Sequence, residues 1–377
     1  MIPVAEPLLG EKELEYVTDC IRSGWVSSVG EYVRRFEREF AACCGVRYGV
    51  ATHNGTVALH LALVALGIGP GDEVILPTLT FVATANAVTY TGATPVFVDS
   101  EPRTWNLDPE AATRAITPRT RAIIAVHLYG HPADMDPLRA LADEHGLALI
   151  EDAAEAHGAR YKGRRTGSLS DVAIFSFFGN KIITTGEGGM VLTDDGVLAE
   201  RCFFLENQAK QKDNPYWHTE IGYNYRMTNL QAALGVAQLE RIEELVAIRL
   251  RNAAHYNRRL AEVPGLTLPP CAEWAEAVYW MYTVLIEDDY GLDRDTLMIR
   301  LRQLGIETRP VFYPIHTLPM YNQGQSFPVA EEVGRKGINL PSGATLTPEQ
   351  VDVVCDALAE LAGGSPRKLL SFRGDGS

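Results

Sequence analysis

The sequence holds no long hydrophobic run. Its longest apolar stretch, around Leu61 to Leu66, is far short of the roughly 20 residues that a bilayer-spanning helix needs. Cysteine is sparse: Cys20, Cys43, Cys44, Cys202, Cys271 and Cys355 form no C-x-x-C pair and no dense framework. That pattern in a long chain fits a reducing, cytoplasmic compartment rather than a disulfide scaffold. Cys43-Cys44 reads as two small apolar residues at a helix end. Excess positive charge is also absent. A formal net charge of −14 argues against general binding to nucleic acid or to an anionic membrane, although a local site can still take an anionic small ligand. The spacings of His127, His131 and His157 match no metal-ligand pattern, so no metal site is expected. No G-x-x-x-x-G-K-[ST] loop occurs, and Gly67-Ile68-Gly69-Pro70-Gly71 follows a helix-like run and carries a proline, so it reads as a turn. The N-terminus lacks a basic region followed by an apolar one, which predicts no signal peptide.

What is present is an alternation of short apolar runs and amphipathic stretches. The 377 residues, 46% hydrophobic, suggest two domains or one large α/β domain with an appendage. Strand-like runs are Val50–Thr52, Glu73–Leu76, Pro95–Asp99, Ala122–His127, Leu147–Ile150, Val172–Phe177 and Met190–Thr193. Helix-like runs separate most of them, including Val57–Leu66, Phe81–Thr91, Pro109–Ile116 and Pro137–His145. Repeated βα units with continuous apolar strands predict a mixed, mostly parallel sheet covered by helices on both faces. In such sheets ligands bind beyond the carboxyl ends of the strands. A helical stretch from Asn229 to about Val263 has an apolar stripe and reads as a bridge to a smaller α+β region. There, Thr347-Pro348-Glu349-Gln350 is a capping box with proline at the first helical position. The expected division is a large domain over 1–250 with an N-terminal arm, a small C-terminal domain over 251–362, and a disordered tail over 363–377.

The stretch from Phe175 to Gly189 organises the rest. Lys181 stands between a strand-like run and a glycine cluster, which suits a buried amine. Desolvation depresses an ammonium pKa, and the neutral amine can form a Schiff base. Asp152 ends an earlier strand, Ser176 precedes the lysine by five residues, and Asn54-Gly55-Thr56 opens a helix. Together these supply a partner for a pyridinium nitrogen, a phosphate hydroxyl and a helix N-terminus for the phosphate. Those are the groups that an enzyme using pyridoxal 5′-phosphate (PLP) has to provide.

From about Pro7 to Leu361 the chain resembles the DegT/DnrJ/EryC1/StrS family of sugar aminotransferases, which have the aspartate aminotransferase type I fold. The motifs that carry the likeness are Asn54-Gly55-Thr56, Pro77 to Phe81, Glu151-Asp152-Ala153-Ala154, Ser176 to Lys181 with Gly186 to Gly189, and Gly222 to Met227. The resemblance implies that Lys181 holds PLP and then moves the substrate proton, and that Asp152 pairs with the pyridinium nitrogen. It implies that Phe81 stacks on the ring, and that Ser176 and the Gly55 and Thr56 amides bind the phosphate. Asn224 would reach the phosphate of a neighbouring subunit, which implies a homodimer with shared active sites. Glu155 is a departure: many relatives carry a glutamine there that donates to the cofactor, and an ionised carboxylate cannot donate. Arg226 and Arg309 are candidates for anionic groups of the substrates, with Tyr313 and His316 beside them. Within the family, Phe177 to Gly189 and His127 to Gly130 look most like members that move the amino group of L-glutamate to C4 of GDP-4-keto-6-deoxy-D-mannose. Other acceptors stay open: a 3-keto sugar, a UDP- or dTDP-linked keto sugar, or a keto-inositol. A dehydratase would carry histidine in place of Lys181, and a non-catalytic member would not need Lys181, Asp152 and Ser176 together.

Overall fold

A computed structural model of the chain describes residues 1–363, so the tail expected to be disordered lies almost wholly outside the described residues. Its centre is a seven-stranded sheet with the spatial order Tyr48–Thr52, Gly189–Thr193, Val172–Ser176, Ala148–Asp152, Thr120–Val126, Glu73–Pro77 and Thr94–Val98. Gly189–Thr193 runs antiparallel to both its neighbours, and the remaining pairs are parallel. The apolar runs without polar alternation are explained by burial on both faces. Ile75, Ile123 and Leu149 pack on one side with Leu138 and Leu141 of the helix Met135–His145. Their neighbours Val74, Leu76, Ile124 and Ile150 pack on the other with Leu59 and Leu63 of the helix Gly55–Ala65. The period of two along each strand thus serves two cores.

The helix expected over Asn229 to Val263 is two helices, Asn229–Leu239 and Ile242–Leu260. Arg241 breaks the run at φ −112°. The break lets Leu239 and Ile242 both bury while the charged pair between them turns outward. Glu240 accepts from the Tyr16 hydroxyl and from Arg35, both at 2.8 Å, and Arg241 donates to Glu244 at 3.0 Å. The boundary expected near residue 250 falls inside the second of these helices. Beyond it, Leu266–Thr267, Tyr282–Ile286, Gly337–Leu340 and Arg309–Pro310 form an antiparallel sheet. The helix Pro348–Leu361 starts as the sequence indicates: the Thr347 side chain accepts from Gln350 N, and the Gln350 side chain closes the capping box. Two further helices, Gly196–Glu206 and Pro328–Lys336, are not among the elements expected from the sequence. The first is set by Asp195, whose carboxylate accepts from the amides of Val197 at 2.8 Å and Leu198 at 3.3 Å. Among the described residues no helix is long and apolar enough to cross a membrane.

Candidate active site

The strand Ala148–Asp152 ends in two adjacent carboxylates, and the pleat sends them to opposite faces. Glu151 points into the protein and is saturated. It accepts from the amides of Gly167 at 2.7 Å and Leu169 at 2.8 Å, from Ser170 Oγ at 2.9 Å, and faces His127 Nε2 at 2.9 Å. Asp152 points toward the sheet's carboxyl edge. Its Oδ2 accepts from the Thr84 hydroxyl at 2.8 Å and its Oδ1 from Ala154 N at 3.3 Å. Burial raises its pKa above the usual carboxylate range. Such a carboxylate is best stabilised by a cation brought to it.

Lys181 follows the next parallel strand, Val172–Ser176, in a turn where its amide donates to Phe178 O at 2.9 Å. Its Nζ lies 3.8 Å from Glu155 Oε1 and 3.6 Å from the centre of the Trp280 ring. Burial lowers the pKa of this amine, and burial pushes Glu155 up to about 7. The second oxygen of Glu155 accepts from Tyr129 N at 2.8 Å.

Both side chains open onto one cavity of about 510 Å³, within the range of small-molecule sites. Gly55, Thr56, Phe81, Asp152, Glu155, Ser176, Lys181 and Arg309, all singled out from the sequence, line it. At one end is the N-terminus of the helix Gly55–Ala65, capped by Asn54 Oδ1, which accepts from Val57 N at 3.0 Å. A Cβ at Gly55 would lie 2.7 Å from Ser176 Cβ, so only glycine brings the helix amides and the Ser176 hydroxyl together. Free amides at a helix N-terminus suit a phosphate. The donor set therefore fits PLP: an anion seat at one end, a buried carboxylate for a protonated ring nitrogen, a buried amine, and the Phe81 ring, 54% exposed, beside them.

Four of the residues singled out do not line this cavity. Asn224 is exposed and pairs through its backbone with Asn207. Arg226 donates to Asn224 Oδ1 at 3.3 Å, which turns it from the cavity of its own chain. Tyr313 is 59% exposed. His316, expected against substrate, is buried instead: Nδ1 lies 2.7 Å from Thr78 Oγ1 and Nε2 3.1 Å from Glu331 Oε1. Both ring nitrogens are occupied, so it braces a loop. Conversely, Trp280, Phe312 and Tyr129 line the cavity and were not read from the sequence. The aromatic run Tyr279-Trp280-Met281-Tyr282 is the signal that the sequence offers for Trp280.

The family model described as the DegT/DnrJ/EryC1/StrS aminotransferase family matches residues 7–359. The chain is 51% identical to the GDP-perosamine synthase of Caulobacter vibrioides over 363 residues, covering 96% of this chain and 98% of that protein. It is 48% identical to the GDP-perosamine synthase of Escherichia coli O157:H7, covering 95% and 98%. Among solved structures, S. venezuelae DesV superposes with a TM-score of 0.87 at 43% identity, covering 92% of this chain and 93% of that one. Aminotransferases of this family depend on PLP. The match extends over nearly the whole sequence and the site has the donors that the cofactor needs: the chain belongs to the DegT/DnrJ/EryC1/StrS aminotransferase family.

Proposed function

We propose that this protein transfers the amino group of L-glutamate to C4 of GDP-4-keto-6-deoxy-D-mannose, giving GDP-perosamine. The observation that carries the reading is that the Lys181 amine and the Asp152 carboxylate face a single cavity whose far end is a helix N-terminus. The substrate assignment is supported by the two GDP-perosamine synthases similar over nearly their whole length. PLP, when bound, supplies the carbonyl that carries the amino group and a ring that takes up electrons. The chain's own residues do the rest. Asp152 would hold a proton on the cofactor's ring nitrogen. Lys181 takes a proton at Nζ and returns it. The Gly55 and Thr56 amides with Ser176 hold the phosphate. Arg309, exposed at the rim and 3.7 Å from Glu307, would meet an anionic substrate group.

The same reading includes a homodimer whose copies share sites. Its support is the position of Asn224 and Arg226 outside the cavity of their own chain, next to the exposed apolar side chains Ile221 (83% exposed) and Trp217 (65%). Two copies related by a twofold axis would cover this face. We place the reaction in the cytoplasm, since all six cysteines are free.

The test is an amino-transfer assay on a panel of keto sugars, GDP-, UDP- and dTDP-linked and a keto-inositol, with glutamate as donor. The GDP-linked 4-ketone is expected to turn over at least tenfold faster in kcat/KM than the others, a difference of about 1.4 kcal/mol. A preference for any other acceptor overturns the substrate while leaving the chemistry.

A further inference from the structure

Two loops meet behind Lys181, and both are strained. Tyr129 has φ +53° and Tyr279 φ +49°, a left-handed conformation that strains a non-glycine residue and persists only where its surroundings hold it. Each strained tyrosine adjoins a group that touches the lysine. Tyr129 aims its amide at Glu155, and Tyr279 immediately precedes Trp280. The loops are locked together. Val278 N donates to Gly130 O at 3.0 Å, and a Cβ at Gly130 would meet Trp280 N at 2.9 Å.

Trp280 is held at its ring edge, at its main chain and by a stacked ring. Its Nε1 donates to Asn180 O at 2.8 Å, one residue before the lysine. Its carbonyl accepts from the buried Arg249 at 3.0 Å. Its face stacks on Tyr129, with centroids 6.0 Å apart and planes at 18°. Over the same ring lies the Nζ of Lys181, 3.6 Å from the ring centre, with the Glu155 carboxyl 3.8 Å away. The lysine side chain is 10% exposed and the glutamate 5%. A cation over an indole is attracted by the ring quadrupole, most strongly where water is excluded.

We propose that Trp280 is a positioning residue: with Glu155 it forms a seat that holds the amine of Lys181 whenever that amine is not tied to the cofactor. This deepens the reading of Lys181 as the PLP lysine and rests on it. The amine has to leave its covalent link and carry a proton in each turnover, and the seat holds it in its protonated form. A side chain with four free torsions would scatter over the cavity. The seat fixes it at one place, so the entropy of that alignment is lost on folding rather than at the chemical step.

The consequence is thermodynamic. Lysine is seated in the cofactor-free chain and also when pyridoxamine phosphate is bound, because that form makes no link to it. PLP has to draw the amine off the seat. The full-length chain, stripped of cofactor, is titrated with PLP and separately with pyridoxamine phosphate, for the wild type, Trp280→Leu and Trp280→Phe. The ratio Kd(PLP)/Kd(pyridoxamine phosphate) is expected to fall roughly tenfold in Trp280→Leu, the order of a desolvated cation–π contact. It is expected to fall only two- to threefold in Trp280→Phe, which keeps a smaller ring face. A ratio that stays at the wild-type value overturns the seat even where both affinities weaken together, because Trp280 would then only shape the pocket. If Trp280→Leu does not fold, Trp280→Phe decides on the same ratio. A wild type that forms no lysine-linked absorbance with PLP sinks the cofactor reading instead, so the two failures are distinguishable.

Discussion

One wall of the cavity is carried by the ends of the central parallel strands and the other by loops around the small antiparallel sheet. Asp152, Ser176 and Lys181 belong to the first. Main-chain ladders place Asp152 and Ser176, the turn after Val172–Ser176 places Lys181, and the Thr84 hydroxyl of the helix Ala83–Tyr90 supports Asp152. Trp280, Phe312 and Arg309 belong to the second, and Tyr129, from the turn after the central strand Thr120–Val126, packs among them. Stacked rings and left-handed tyrosines place them, with Tyr129 lying 5.2 Å from Phe312 and 6.0 Å from Trp280. The contrast suggests that reaction chemistry is entrusted to regular structure and recognition to irregular structure. A scaffold fixed by backbone hydrogen bonds tolerates no drift, whereas loops can vary their contacts without disturbing it.

Removing the central group of the strand-borne wall should have the largest effect. Lys181→Ala is expected to lower amino transfer by at least about 10³-fold, since it deletes both the covalent anchor and the base. It should also abolish the absorbance of lysine-linked cofactor in a simple spectrum. Asp152→Asn keeps the shape but not the charge. Its kcat is expected to fall by about 10²- to 10³-fold, as for loss of one preorganised electrostatic contact, with the protein still folded by circular dichroism. If Asp152→Asn retained wild-type kcat, the strand-borne wall would not be the chemical one. Between copies, mixing Lys181→Ala with Asn224→Ala chains should restore activity to about a quarter of wild type, since half the dimers in a symmetric pair are mixed and carry one intact site. No recovery would mean each chain works alone.

The loop-borne wall should yield in stability and geometry rather than chemistry. Gly130 has φ +95°, and a Cβ there would lie 2.9 Å from Trp280 N and 3.0 Å from Tyr279 N. Gly130→Ala is expected to cost about 1–3 kcal/mol in denaturant unfolding, from left-handed strain and the displaced loop. A cost below a few tenths would show that this wall is soft enough to give way.

How much of this was legible follows the same division. The strands, the Asn54 cap and the Thr347 capping box are local patterns, and the sequence shows them within a few residues. Asp152, Ser176 and Lys181 could be singled out because they stand at or just beyond strand ends, where α/β sheets place ligands, and they line one cavity. Trp280 could not be singled out in this way. Its contact with Lys181 spans 99 positions of chain (280 − 181), and no periodicity encodes a contact of that kind. The break at Glu240–Arg241 was missed for a related reason: the charges that favour it sit on the helices Glu11–Ser23 and Glu31–Cys44, far away in the sequence. His316 shows the opposite case: the sequence places it in a loop after Arg309 and Tyr313, and only the fold shows that it is buried.

Behind the strand-borne wall lies a pair whose titration tests how that wall is supported. Burial raises Glu206 to about 9, helped by Glu37 and opposed by Arg226, and burial raises Glu37 to about 7. Glu37 Oε1 accepts from Ala51 N at 3.0 Å in the strand leading to the phosphate seat. Glu206 has one buried oxygen without a partner. Between the ordinary carboxylate pKa near 4.3 and about 9, the folded chain keeps a proton at Glu206 that the unfolded chain releases. Stability therefore declines as pH rises through that window, by up to about 1.4 kcal/mol per pH unit. Glu206→Gln should flatten the decline between pH 5.5 and 8 in urea unfolding. An unchanged slope would show that the carboxyl is ionised in the fold.

The smallest effect expected separates a brace from a binding group within the loops. Thr78 Oγ1 accepts from His316 N at 3.2 Å and lies 2.7 Å from His316 Nδ1, while Nε2 faces Glu331 at 3.1 Å. With the hydroxyl proton directed at Nδ1, the ring carries its own proton on Nε2 and donates it to the carboxylate. His316→Gln can replace only part of that arrangement, and its cost should be about 1 kcal/mol of stability, the worth of one buried hydrogen bond. Its kcat and KM should stay within about twofold of wild type, because every polar atom of the ring is spent inside the protein. A tenfold rise in KM for the keto sugar with unchanged stability would return His316 to the substrate, and the loop-borne wall would then extend past Arg309 to the segment that here looks like its buttress.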